Sequence, residues 1–107
     1  MPTYTNTSYA TANVVTTGST IFTVGSSNTV AVTSLLVSNK SASPITADAY
    51  ITRSATDYYI IKGATVPVST TLQVVTESLV LQASDVLKVK ASAADRLDCT
   101  ASYLEIT

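Results

Sequence analysis

At 107 residues, with a formal net charge of −1 and only 12% charged side chains, the chain is one domain's worth of sequence. It lacks the cationic excess that binds nucleic acid or an anionic membrane, so neither is expected as a partner. It contains no histidine and a single cysteine, Cys99. The usual general base, the commonest transition-metal ligand and any intrachain disulfide are therefore missing together. Hydrophobic residues make up 46% of the chain, and a polar remainder rich in Ser and Thr favours pleated, half-buried surfaces over helices.

From Met1 to about Asn13 the sequence is Thr, Asn, Ser and Ala with Tyr4 and Tyr9 interspersed, and no apolar period runs through it. It reads as an extended N-terminal arm, residues 1–13, in front of a single β-sandwich domain, residues 14–107. The arm has no basic start followed by an apolar run, and no segment of the chain has the length of a membrane span. The expectation is a protein made in a cytosol that stays there or leaves as part of something larger.

After the arm, "STIFTV", the turn residues "GSSN" and "TVAVTSLLVSN" read as a hairpin. The alternation slips at "TSLLV", where Leu35 and Leu36 cannot both face one core, so a bulge near Ser34 to Leu36 or a strand covered on both faces is expected. "ITADAYITR" alternates strictly, with Ile45, Ala47, Ala49 and Ile51 opposite Thr46, Asp48, Tyr50 and Thr52. With "SATD" as turn and "YYIIK" as return strand it makes a second hairpin. Pro67 marks a connection or an edge, since it cannot donate to a central ladder. In the last third Leu87, Val89 and Ala91 face away from Lys88 and Lys90, and Leu97, Cys99, Ala101 and Tyr103 share one face of the final strand. Leu104 and Ile106 make that strand's end apolar on both sides, which calls for cover by the arm or by a neighbouring subunit. The fold expected is all-β, an antiparallel β-sandwich or jelly-roll-like barrel of about eight or nine short strands.

The chemistry is read mainly by exclusion. Cys99 has no base to activate it and sits on an apolar face, so it reads as a small buried hydrophobe. Asp95, Asp98 and Glu105 lie near one another in sequence, but Asp95 reads as turn chemistry, Asp98 as the wet side of a strand, and Asp85 as a further turn residue. No catalytic residue, metal ligand or cofactor site is assigned. Asn6-Thr7-Ser8 and Asn39-Lys40-Ser41 match the glycosylation pattern as chance would produce it in a Ser/Thr-rich chain. Tyr58 and Tyr59 are adjacent and point to opposite faces of a strand. One is therefore outside, near Tyr50, where a Tyr pair either stiffens the sheet or stacks on a sugar or a partner. The candidate interaction residues are Tyr4, Tyr9, Tyr50, Tyr58, Tyr59, Leu104 and Ile106.

Three stretches, "TIFTV…NTVAVTSLLVSNKSAS", "DYYIIKGATVPVSTTLQV" and "SDVLKVKASAADRLDCTASYLEIT", together resemble small β-rich virion proteins of tailed bacteriophages. The likeness lies in a strand leading to a Val/Leu run that ends in "VSN", a "VP" connection, and a turn opening the last strand pair. The chain departs from it at Gly25, where Pro is usual, and at Ser84, where Gly is usual. The resemblance implies a non-enzymatic structural protein of the virion, made in the host cytoplasm. It is similar to capsid decoration (cement) subunits that clamp their neighbours, and to neck or tail accessory subunits. Implied partners are further copies of the chain in a homo-oligomer, and the major capsid protein or other virion structural proteins. A host-glycan-binding adhesin on a fibre or baseplate is the alternative from a different class, with a phage hydrolase behind it.

Overall fold

Alternating apolar side chains give each strand one buried face, and two sheets stacked on those faces form the molecule. The computed structural model describes residues 3–75, 79–93 and 96–107. Nine strands lie within them: β1 Tyr4–Thr11, β2 Ser19–Thr23, β3 Thr29–Asn39, β4 Ile45–Arg53, β5 Thr56–Val66, β6 Thr71–Val75, β7 Leu79–Leu81, β8 Val86–Ala91 and β9 Leu97–Ile106. One sheet has the order β1-β9-β3-β6, with β7 also paired to β3, and the other has the order β2-β8-β4-β5. Every pairing is antiparallel. With β6 and β7 taken as one interrupted strand, this is the jelly-roll order.

The hairpin expected from "STIFTVGSSNTVAV" is not formed. The turn exists, with the Asn28 amide donating to the Gly25 carbonyl at 3.1 Å, but it is a corner between sheets: β2 pairs with β8, and β3 with β9, β6 and β7. Ile21 and Val24 on one side and Val30 and Val32 on the other are all buried. Crossing the sandwich lets the two sets pack against each other from opposite sheets. The second hairpin does form, with Arg53 paired to Thr56. Its two-residue turn has positive φ at both Ser54 (52°) and Ala55 (63°), the handedness that matches strand twist. Return strand β5 runs to Val66 at the edge of its sheet and stops just before Pro67.

Slippage in "TSLLV" is resolved by irregularities in two ladders. The β3–β9 register shifts between Val32 and Ser34, where the Thr33 hydroxyl donates to the Ser102 carbonyl at 3.0 Å. The β3–β6 register shifts between Leu35 and Leu36. Leu35 is thereby fully buried, while Leu36 falls on the outer face, half-buried.

The core is mostly Val, Ala, Leu and Ile from both sheets, and Val14 is its first member along the chain. Phe22 of β2 stacks on Tyr103 of β9 across the sandwich, with ring centroids 4.3 Å apart. At the loop after β3, Asn39 is buried and its amide is fully engaged. Nδ2 donates to the carbonyls of Ser43 and Val66, and Oδ1 accepts from the Ser41 amide and hydroxyl. Asn39-Lys40-Ser41, the second match to the glycosylation pattern, is thus a loop-closing device.

Cys99 is 1% exposed, and burial pushes its thiol pKa up to about 12. Thiol reagents are expected to label it only on unfolding. Cys99→Ala should cost about 1 kcal/mol, and Cys99→Asp several kcal/mol, as a buried charge without a partner. Labelling kinetics across a denaturant series, with melts of both variants, checks this.

Candidate functional site

Two of the acidic residues, Asp85 and Asp98, are engaged in structural hydrogen bonds and ion pairs. Asp85 is 1% exposed in the β7–β8 turn. Its carboxylate accepts from Arg53 Nε at 2.8 Å, from Arg53 Nη2 at 2.6 Å and from the Gln82 amide at 2.8 Å. Two backbone bonds, from the Val24 amide to the Asp85 carbonyl and from the Ser84 amide to the Val24 carbonyl, draw the end of β2 into the same knot. Asp85 therefore joins the β4–β5 hairpin, the β7–β8 turn and the end of β2. Its sequence context announces the turn but not the distant arginine. The Arg53 hydrogen bonds hold its carboxyl below the usual carboxylate range.

Asp98 lies on the outer face, where it accepts from the Asn13 amide at 3.0 Å and pairs with Lys40 at 3.0 Å. Lys40 and Asn13 together lower its pKa, the Lys40 hydrogen bond foremost. Glu105 points to the other face of β9, about 23 Å of strand away, so these two carboxylates cannot share a substrate. Asp95 lies outside the described residues. Among the described residues, no three His, Cys, Asp or Glu side chains come together as a metal site would need.

Tyr50 and Tyr59 are cross-strand partners on the outer face of the four-stranded sheet, with ring centroids 5.1 Å apart. Tyr50 is only 6% exposed. A Cβ built on Gly18, where φ is +108°, would lie 2.5 Å from its hydroxyl oxygen, so Gly18 makes room for the ring. The Lys62 ammonium lies over the Tyr59 ring, 4.4 Å from its centroid. The expected Tyr pair is present, with one ring covered and the other already carrying a cation. Tyr58 points to the inner side of edge strand β5 and is 56% exposed, beside Ile51, Arg53, Leu79 and Val80.

The outer face of the five-stranded sheet is graded along its length. Register places Val80, Ala31, Leu104 and Asn6 in one row across β7, β3, β9 and β1. Thr29, Ile106 and Tyr4 form the next row. Val80 is 57% and Tyr4 62% exposed, with Leu104 and Ile106 half-buried between them. The middle of the face is a shallow hydroxyl-lined groove that includes Asn6, Ser8, Thr33 and Ser102, and the far end carries the Lys40–Asp98 pair. Leu104 and Ile106 thus share an apolar stripe with Tyr4. Val80, a member that sequence periodicity did not single out, joins only because β7 pairs with β3. Tyr9, 43% exposed, projects from β1 on the opposite face.

No protein-family profile matches the chain, and no curated protein matches it in sequence. Its fold is similar to that of a chain from the Bacillus endospore appendages described as a novel family of disulfide-linked pili. The TM-score is 0.60 at 14% identity, over 100% of this chain and 90% of that one. It is also similar to a chain of the T13 IBDV viral particle, with a TM-score of 0.60 at 12% identity. A chain from infectious bursal disease virus Gx strain gives 0.57 at 10%. The chain covers only 30% and 32% of those two viral chains, as one portion of a longer protein. At these identities the shared property is the fold.

The Arg53–Asp85 pair gives a signed prediction. A depressed folded-state pKa contributes stability above the ordinary carboxylate value and loses it as pH falls through the folded value. Thermal stability is therefore expected to drop below about pH 4, and less steeply in Asp85→Asn. Arg53→Ala, which leaves the buried carboxylate unpaired, should lower stability at neutral pH more than Asp85→Asn does. Denaturant melts against pH check both.

Proposed function

We propose that the chain is a non-enzymatic structural subunit of a particle, specifically a virion protein of a tailed phage that decorates or cements the capsid by clamping neighbouring subunits. The observation that carries this reading is the apolar stripe of Tyr4, Leu104, Ile106 and Val80 on an otherwise hydroxyl-coated sheet, a surface built for contact on a molecule in which Asp85 and Asp98 are held in structural hydrogen bonds. The sequence resemblance supports the phage assignment. The fold shared with a pilus chain and with viral-particle chains supports assembly as the task. Assembly through disulfides, as described for the endospore pili, is not the mode proposed here: the sole cysteine of the sequence, Cys99, is buried beneath the sheets. Partners in this reading are further copies of the chain and the capsid or other virion proteins, and the neck and tail accessory roles differ from it only in position. Copy number in the purified particle separates them, since hundreds of copies mean decoration and about a dozen mean neck, tail or fibre. A glycan-binding adhesin would instead show saturable sugar binding lost on Tyr58→Ala.

Leu104→Lys and Val80→Lys are expected to leave melting temperature within a few degrees of the parent. Each should weaken association by about 100-fold, because a charge is forced into an apolar contact. Sedimentation velocity over a concentration series, and occupancy on particles lacking the protein, measure this. Unchanged association in both variants would remove the stripe as the contact surface.

A further inference from the structure

The geometry points to exchange of β1 between copies, so that residues 3–11 of one chain lie on β9 of a second. This rests on the assembly reading above and names the partner as a second copy of the chain. The sequence-level division into an arm, residues 1–13, and a body, residues 14–107, is part of the same proposal.

Three observations carry it. First, β1 is bound almost entirely by its backbone. It pairs with β9 from Tyr4↔Ile106 to Thr11↔Cys99, and reciprocal amide–carbonyl bonds between Thr3 and Thr107, at 3.0 and 2.9 Å, close the far end. Yet Tyr4 to Ala10 are all exposed, and no β1 residue belongs to the core. Thr11 Oγ1 is buried without a hydrogen-bond partner among the described residues. Second, attachment to the body begins abruptly at Val14, which is 0% exposed and donates to the Leu97 carbonyl at 2.7 Å. Between strand and anchor lie Ala12 and Asn13, and Asn13 has φ +58°, a kink at which the strand can change direction without disturbing Val14. Third, the kink is held by one exposed polar latch: Asp98 accepts the Asn13 amide, and Lys40 bonds both the Asn13 Oδ1 and Asp98.

A second copy's β9 offers the identical register, so the exchanged form regains every β1–β9 bond and pays only for bringing two chains together. In a particle, neighbouring copies already meet. Backbone pairing also explains the composition of the segment, since an exchanged strand bound by its main chain needs no apolar side chains of its own.

The test uses full-length chains in a Cys99→Ala background. One carries Ser8→Cys and a size tag, the other Ser102→Cys. These residues are cross-strand partners in β1 and β9. The chains are refolded together, concentrated and treated with a short thiol-to-thiol crosslinker. The doubly substituted single chain at high dilution must give an internal link, which verifies the register and the fold. If that pair perturbs folding, Ala10→Cys with Thr100→Cys replaces it. The expected result is a covalent Ser8→Cys to Ser102→Cys heterodimer in the mixture, rising about fivefold when Asp98→Ala removes the latch. Absence of the heterodimer, where the doubly substituted chain links internally, overturns the exchange. Large assemblies are scored separately by sedimentation. Assembly without the heterodimer fails the exchange alone, whereas the heterodimer without larger assembly sustains the exchange and fails the particle reading.

Discussion

Stability here depends on burial between two sheets, because one cysteine allows no internal cross-link. Val and Ala account for much of that interface. Small β-branched and methyl side chains lose little rotamer freedom on burial and let the sheets fit closely, so each contributes modestly and the sum comes from their number. Larger residues enter where the sandwich is open, as in the Phe22–Tyr103 stack beneath the edges formed by β1 and β2. At the hairpin end of the four-stranded sheet, hydrocarbon gives way to the Arg53–Asp85 knot. With Asp85 buried and Arg53 half-exposed, the pair adds less net stability than its geometry implies, because desolvating the carboxylate and solvent screening of the guanidinium both offset it. What it contributes is position: it admits one arrangement of the turn, the hairpin and the end of β2.

The strands were legible wherever one face is buried and the other wet. Residues Ile45 to Thr52, Leu87 to Ala91 and Leu97 to Tyr103 alternate in the sequence as they do in the sandwich. Irregularity at Ser34 to Leu36 was legible too, since two adjacent leucines conflict with a regular pleat, and the ladder breaks there. Strand partners were not. The "GSSN" segment looks the same whether it folds a strand back on its neighbour or turns it to the opposite sheet, and the choice depends on β8 and β9, more than fifty residues downstream. For the same reason Val80 escaped notice. Its exposure follows from pairing with Ala31, a non-local fact that local periodicity does not carry. Asn39 and Asp85 were read as motif and turn because their partners, Val66 and Arg53, lie far away in sequence.

The two outer faces divide the remaining work. On the four-stranded sheet Lys88, Tyr50 and Tyr59 cover one another in a cross-strand row, with Lys62 above Tyr59, and little apolar surface is left open. On the five-stranded sheet the polar character falls away toward the end where Tyr4, Leu104 and Ile106 meet. Only that second face combines exposed apolar area with an edge strand bound through its backbone, so contact and strand pairing converge on the same corner of the molecule.

The order of strands in space also bears on how the chain is made. β9 lies between β1 and β3, yet it is the last of the nine to be synthesised. Until it emerges from the ribosome, β1 has no template within its own chain, and the central pairing of the sheet cannot close. Contacts of such long sequence separation form slowly. Chains growing side by side on one message would hold their first strands unpaired while a neighbour's last strand becomes available. In the exchange proposed above, which β9 a given β1 meets is settled by translation and local crowding of nascent chains.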